Sequence, residues 1–248
     1  LYWSVMAAQM LGAVPVPVYA DAVADELSFV LAHADVRFAA VEDQEQIDKI
    51  QSVLERLPKL ELMFYDETRG LRDYDHAKLR SIDDVIVEGR EALARDPKLA
   101  EWLDAEVAAT EGSDPSIILY TSGTTGTSKG VVLSGERSIK AASDTVAFDG
   151  LNEKDVALAY LPIAWVGDHY LNYAQGLVAG FCTACPEGAD TAMTDLREIG
   201  PSFYFAPPRT LEVLLTGLMI RMEDASALKR KMFHYFLCVA RQYGERIL

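Results

Sequence analysis

"IILYTSGTTGTSKGVVLS", residues 117–134, places two apolar runs on either side of a stretch that cannot fill a core. From position 121 to 130 there are six Ser or Thr residues, three glycines and the single cation Lys129. Glycine lets backbone N–H groups approach a ligand closely, and consecutive amides form a nest for anions. Hydroxyls add donors that rotate to meet phosphate oxygens, and Lys129 adds a point charge. The stretch therefore reads as a polyphosphate cradle following a strand at 117–120. The alternative is a flexible surface linker. The immediate return to Lys-Gly-Val-Val-Leu disfavours it.

Other phosphate and nucleophile motifs fail on spacing. A Walker A loop needs Gly, four residues, then Gly-Lys-Ser/Thr; counted from Gly123, position 128 is Ser and position 130 is Gly. The loop contains no Gly-x-Gly of the kinase type; the letters Gly-x-Ser-x-Gly do occur at 126–130, but they run into the apolar strand at 131–133 and not into a helix, so they make no nucleophile elbow for a Ser-His-Asp hydrolase.

Outward from the loop, helical and strand periods alternate, which predicts an α/β fold of mostly parallel sheets flanked by helices. Before it come a helix at 1–11 closed by Gly12, an extended Pro-rich edge strand at 14–19, and a helix capped by Asp21. A strand at 36–41, a helix at 44–57 and a strand at 60–65 follow. Residues 66–112 loosen into a charged excursion with helical pieces at 81–95 and 97–109. After the loop, Ser134 is placed to cap a helix. Strands are expected at 155–162, 181–185 and 202–206, and helices at 166–179, 190–199 and 208–222. A first lobe over 1–112 and a second over 113–248, the latter carrying the loop, fit this pattern.

Composition narrows the function classes. The 248 residues are half hydrophobic and one-quarter charged, with 38 acids against 23 bases and a net charge of −15. A nucleic-acid surface needs clustered Lys and Arg, so nucleic acid is excluded as partner. Screening beyond roughly 8–10 Å still leaves a local phosphate nest workable. Three cysteines make no disulfide framework, which points to a reducing cytoplasm. Cys182 and Cys185 read either as half of a zinc or redox pair or as small apolar residues of a strand; the strand is favoured. No transmembrane segment is expected, since no apolar run reaches about 18 residues.

The ordering "YTSGTTGTSKG" resembles the phosphate-binding signature of the adenylate-forming superfamily, with Ser128 where that family usually has proline. By this resemblance Thr121, Ser122, Gly123, Thr124, Thr125, Gly126 and Lys129 hold the β- and γ-phosphates of ATP. The segment 10–43, the block "YLPIAWVGDHYLNYAQGLVAGFCTACPE" and the Pro-Arg-x-x-Glu stretch at 208–212 resemble long-chain fatty acyl-CoA synthetases. Where those enzymes carry His and then a large aromatic after Leu-Pro, this sequence has Trp165 and His169, an exchanged pair. Trp165 stands open between a substrate-pocket wall and the core. His169, beside Asp168, is open between a substrate pocket and a structural helix start, the latter favoured. Arg209 and Glu212, three apart on a helix, are expected to pair.

The resemblance implies a chain that is the middle of an enzyme about twice as long, a partial large domain. ATP, Mg²⁺ and coenzyme A are its cofactor and co-substrates, and a fatty acid its leading substrate. The family's Mg²⁺-binding Glu, ribose-binding Asp, adenylation Lys and small C-terminal domain are expected beyond Leu248, so no catalytic or metal-binding residue is assigned within the 248. The isolated chain is accordingly expected to be inactive. A non-catalytic ATP-binding module and a ligase for a short or aryl acid are the alternatives. Membrane-surface association stays open: the net charge opposes it, and the basic cluster at 229–231 favours it.

Overall fold

The computed structural model describes residues 1–121 and 128–247, the last three by backbone alone. It forms two compact units, Leu1–Phe203 and Tyr204–Leu248, so a boundary between 112 and 113 falls inside the first.

Helix α1 (Tyr2–Met10) ends at Gly12, which takes a φ of +69° that a side chain would resist. The Pro-rich segment after it is not a strand. It lies beside the second sheet, where the Ile118 N–H donates to the Pro15 carbonyl at 3.0 Å. Prolines 15 and 17 have no N–H to extend a ladder, which limits the pairing. Asp21 does not cap α2 (Ala24–His33). The helix starts from Val23, and Asp25 and Glu26 in its first turn meet the positive end of its dipole.

The first sheet is parallel, in the order β1 (Phe38–Val41), β2 (Leu62–Tyr65), β3 (Leu79–Ser81). Its third strand was not expected: three residues with a central Arg give no period to read. Helix α3 (Gln44–Gln51) is capped by Asp43, which accepts from the Gln46 N–H at 3.2 Å. It stops short of the expected length, continuing only as a single 3-10 turn, Leu54–Arg56. Leu27 and Leu31 of α2, Ile47 and Ile50 of α3, and Met63 and Leu79 of the sheet close one apolar core. Helices α4 (Ile82–Arg95) and α5 (Lys98–Ala109) follow the expected bounds within a residue and bury none of their residues fully.

The loop stretch forms a hairpin instead of joining a parallel sheet. β4 (Pro115–Thr121) pairs antiparallel with β5 (Lys129–Ser134). Parallel pairing needs a long crossover, and seven residues between strands permit only an antiparallel return. Ser134 precedes α6 (Gly135–Asp149) but does not cap it; its Oγ is buried without a hydrogen-bond partner. The third sheet is parallel again, β6 (Val156–Leu158) with β7 (Cys182–Ala184). The strand expected at 202–206 reduces to one bridge, Phe203 to Ala157.

Between β6 and β7 the chain runs through α7 (Val166–Asp168), a wide π-helical turn at His169–Ala174, and α8 (Gln175–Ala179), ended by Gly180 at φ +74°. Helix α9 (Ala192–Ile199) completes the first unit. The second unit is helical, α10 (Pro208–Glu223) and α11 (Ala227–Ile247). Arg209 and Glu212 do not form the expected ion pair; both are exposed on α10, where water competes for each charge. Among the described residues no helix is long and apolar enough to cross a membrane.

Candidate functional site

The hairpin sets the geometry of the site. Thr121 is paired with Lys129 and Tyr120 with Gly130, so the intervening chain leaves and returns at one point of the sheet. Antiparallel partners stand about 4.5–5.5 Å apart, which sets Thr121 and Lys129 side by side at one rim of the sheet. Ser122, Gly123, Thr124, Thr125 and Gly126, named from sequence, lie outside the described residues. The two flanks are described. Thr121 and Lys129 are both exposed, and among the described residues no carboxylate pairs with Lys129. A hydroxyl beside an un-neutralised ammonium suits a phosphate, even on a chain of net charge −15.

Beside this rim lies a cavity of about 450 Å³, within the range of about 300–1,000 Å³ usual for small-molecule sites. Thr121 and Ser128 reach it from the hairpin, Leu27 and Val30 from α2, and Trp165 from the start of α7. Its lining is mostly apolar; Tyr120, Thr121 and Ser128 bring hydroxyls from the hairpin, and Tyr19 and the Glu26 carboxylate of α2 are its other polar members. Trp165 and the loop flanks, separate in sequence, thus border one space. The indole is held there because Gly167 offers no side chain; a β-carbon on Gly167 would stand 2.1 Å from the ring.

His169 does not line that cavity. It is 2% exposed, its Nε2 is 3.1 Å from the Ser138 Oγ, and its ring stacks on Tyr173 with centroids 5.8 Å apart. Burial pushes its pKa down to about 4, so the imidazole is neutral at ordinary pH. Asp168 is 1% exposed and accepts from the Tyr2 hydroxyl at 2.7 Å and from the Asn172 amide at 2.8 Å. Burial raises its carboxyl above the usual range, and those two donors hold it back in part. The Tyr173 hydroxyl donates to Gln9 Oε1 at 2.6 Å, and Gln9 Nε2 donates to the Ser116 carbonyl at 2.9 Å. The wide turn therefore seats a polar seam joining α1, β4 and α6. Water-excluded side chains with satisfied partners hold the elements that carry them in place.

Cys182 lies in β7 and Cys185 just past its end, both as free thiols. Burial, then the nearby Asp168 charge, push the Cys185 thiol up, away from the reactive thiolate. Among the described residues no three His, Cys, Asp or Glu side chains are grouped to hold a metal ion.

Comparison with known proteins identifies the family. Residues 1–245 match the family model described as AMP-binding enzyme. Long chain acyl-CoA synthetase 5 of Arabidopsis thaliana is 30% identical over 225 residues, which is 88% of this chain and 33% of that protein. The long-chain-fatty-acid–CoA ligase ACSBG1 of Rattus norvegicus is 23% identical over 246 residues, 96% of this chain and 33% of its own. Among solved structures, a long-chain-fatty-acid-CoA ligase from Archaeoglobus fulgidus superposes with a TM-score of 0.62 at 19% identity, covering 90% of this chain and 39% of that one. An anthranilate CoA ligase in complex with anthranoyl-AMP superposes with a TM-score of 0.61 at 20% identity, covering 82% and 37%. At such identities the superpositions carry the fold alone. The chain spans about a third of the length of these curated relatives.

Proposed function

The chain belongs to the AMP-binding enzyme family, and from that premise we propose that it is the phosphate-binding part of an ATP-dependent acyl-CoA synthetase acting on a long-chain fatty acid. The observation that carries this is the convergence of the hairpin flanks, Thr121 and Ser128, with Trp165 on one apolar cavity. A site that activates a fatty acid needs a polyanion cradle next to an apolar wall, and those are its two sides. The long-chain acyl-CoA synthetases among its relatives supply the chain-length preference.

A carboxylate is a poor acyl donor because its leaving group would be oxide. In the proposed reaction its oxygen attacks the α-phosphorus of ATP, and the bond to pyrophosphate breaks, giving acyl-AMP. The sulfur of coenzyme A then attacks the acyl carbon, and AMP departs. The amides and hydroxyls of Thr121, Ser122, Gly123, Thr124, Thr125 and Gly126, with the Lys129 ammonium, would hold the β- and γ-phosphates and offset charge on the leaving pyrophosphate. Mg²⁺ would arrive on those phosphates and lend further charge. No described acid cluster is built to hold it. Trp165 would bound the acyl side, and His169 would act only by fixing the turn behind it.

A cytoplasmic location with contact to a membrane surface is the setting we propose for such a substrate. The test is pyrophosphate release by the full-length protein, measured with fatty acids of increasing length. Release rising toward long chains supports the assignment. Release that peaks with acetate or an aryl acid replaces the substrate class, and no release with any acid leaves an ATP-binding module.

A further inference from the structure

We propose that His33 is a positioning residue for the phosphate loop, acting through Tyr120; this rests on the ligase function argued above. Tyr120 immediately precedes Thr121, and its cross-strand partner Gly130 immediately follows Lys129. The two residues therefore form the last rung before both described phosphate-binding flanks.

Tyr120 is fixed on that rung from separate directions. Its hydroxyl is 2.6 Å from Nδ1 of His33, at the end of α2, and the two rings meet edge to face at 5.8 Å and 88°. Phe29, one turn earlier on α2, stacks on the same imidazole at 5.5 Å. Across the hairpin the ring lies against the bare Cα of Gly130, where a β-carbon would come within 3.2 Å of Tyr120 Cζ and 2.9 Å of Ile118 Cγ2. Tyr120 also lines the cavity. Helix α2 is in turn anchored in the apolar core by Leu27 and Leu31. A continuous path thus runs from the core through α2 and His33 to the rung from which the loop departs.

The geometry suits orientation better than stability. His33 is exposed, and an exposed side-chain hydrogen bond adds little to folding. What it restricts is the tilt of Tyr120, and hence the direction in which Thr121 presents its donors. Such a restraint matters most when the donors of Thr121 must meet a triphosphate of defined shape.

The experiment uses the full-length protein and acid-dependent ATP–pyrophosphate exchange. His33→Phe keeps a ring against Tyr120 but removes the nitrogen, and Tyr120→Phe removes the hydroxyl. Each is expected to raise the KM for ATP roughly 2–10-fold, the scale of one hydrogen bond, while the KM for the acid stays put. The double variant should lose no more than either single one, and His33→Gln, which keeps a hydrogen-bonding group, should recover most of the loss. A KM for ATP within twofold of wild type in both single variants, additive losses, or an equal shift in the KM for the acid would overturn the clamp. A wild type with no exchange removes the ligase assignment and the clamp together, whereas an active wild type with unmoved variants removes the clamp alone.

Discussion

The indole of Trp165 occupies the space that a side chain at Gly167 would need, a β-carbon there standing 2.1 Å from the ring. One wall of the cavity beside the loop is therefore placed by the absence of a side chain two residues further on. Gly167 lies within α7 and has no positive φ, so alanine suits its backbone and gains about 0.5–1 kcal/mol of helix preference. The ring, however, must move.

Gly167→Ala is accordingly expected to leave folding stability within about 1 kcal/mol of wild type while changing the cavity. In the full-length protein the KM for a long-chain acid should shift by roughly tenfold, the scale of a reshaped apolar pocket, with the KM for ATP unmoved. Equal KM values for the acid in variant and wild type would show that Trp165 does not bound the acyl site.

Lys129 is exposed and has no carboxylate partner among the described residues, so its removal does not orphan a charge. Lys129→Ala should leave the unfolding midpoint unchanged. It should also lower kcat/KM for ATP by roughly 10–150-fold, the range of a charge-assisted hydrogen bond. Lys129→Arg should recover part of the loss. An unaltered kcat/KM in Lys129→Ala would mean that the ammonium points away from the triphosphate.

His169 makes stability depend on pH in a defined direction. Its folded pKa is pushed down to about 4 by burial, below the ordinary value of 6.5, so on acidification the unfolded chain takes up this proton first. The contribution is intact above about pH 6.5 and is lost as pH falls toward 4, amounting to about 3 kcal/mol at most. Asp168 acts oppositely: its carboxyl sits above the usual range, so the cost of holding it charged eases as pH falls through that range. Urea titrations of His169→Gln should begin from a lower baseline and show a shallower slope between pH 6.5 and 5 than wild type. Identical slopes would place the titration elsewhere.

Sequence shows the elements whose signals are local. The loop signature, the turn at Gly12 and the long helices α4, α5 and α10 all follow from spacing and composition within one segment. It fails where partners are distant. Asp21 and Ser134 have the right chemistry for caps, but neither side chain bonds its helix. The antiparallel pairing of β4 and β5 departs from the alternation around it because loop length, not pattern, decides pairing direction. Nothing local foretells the wide turn at His169–Ala174, which buries Asp168, His169, Asn172 and Tyr173 on the inner side. Of the candidate site, Trp165 and the flanks proposed to hold phosphate are visible in one dimension. Gly167 and the contact from His33 to Tyr120 come from positions that meet only after folding.

The polar seam includes a hydrogen bond from the Tyr2 hydroxyl to the Asp168 carboxylate. The carboxylate is 1% exposed and has two neutral donors, Tyr2 and Asn172; Tyr2→Phe leaves one oxygen buried without a partner. Stranding a buried charged acceptor costs about 1–3 kcal/mol or more, and that is the loss of unfolding free energy expected at neutral pH. The raised Asp168 carboxyl sets the pH dependence. As pH falls through the carboxylate range the group protonates, becomes cheaper to bury and can donate for itself, so the penalty of Tyr2→Phe should shrink. In an Asp168→Asn background, where no charge is buried, the same substitution should cost less than about 1 kcal/mol. A penalty that is equal in both backgrounds, and flat with pH, would mean that Tyr2 stabilises α1 by packing on Tyr173, its ring centroid 5.6 Å away, and not by holding the carboxylate.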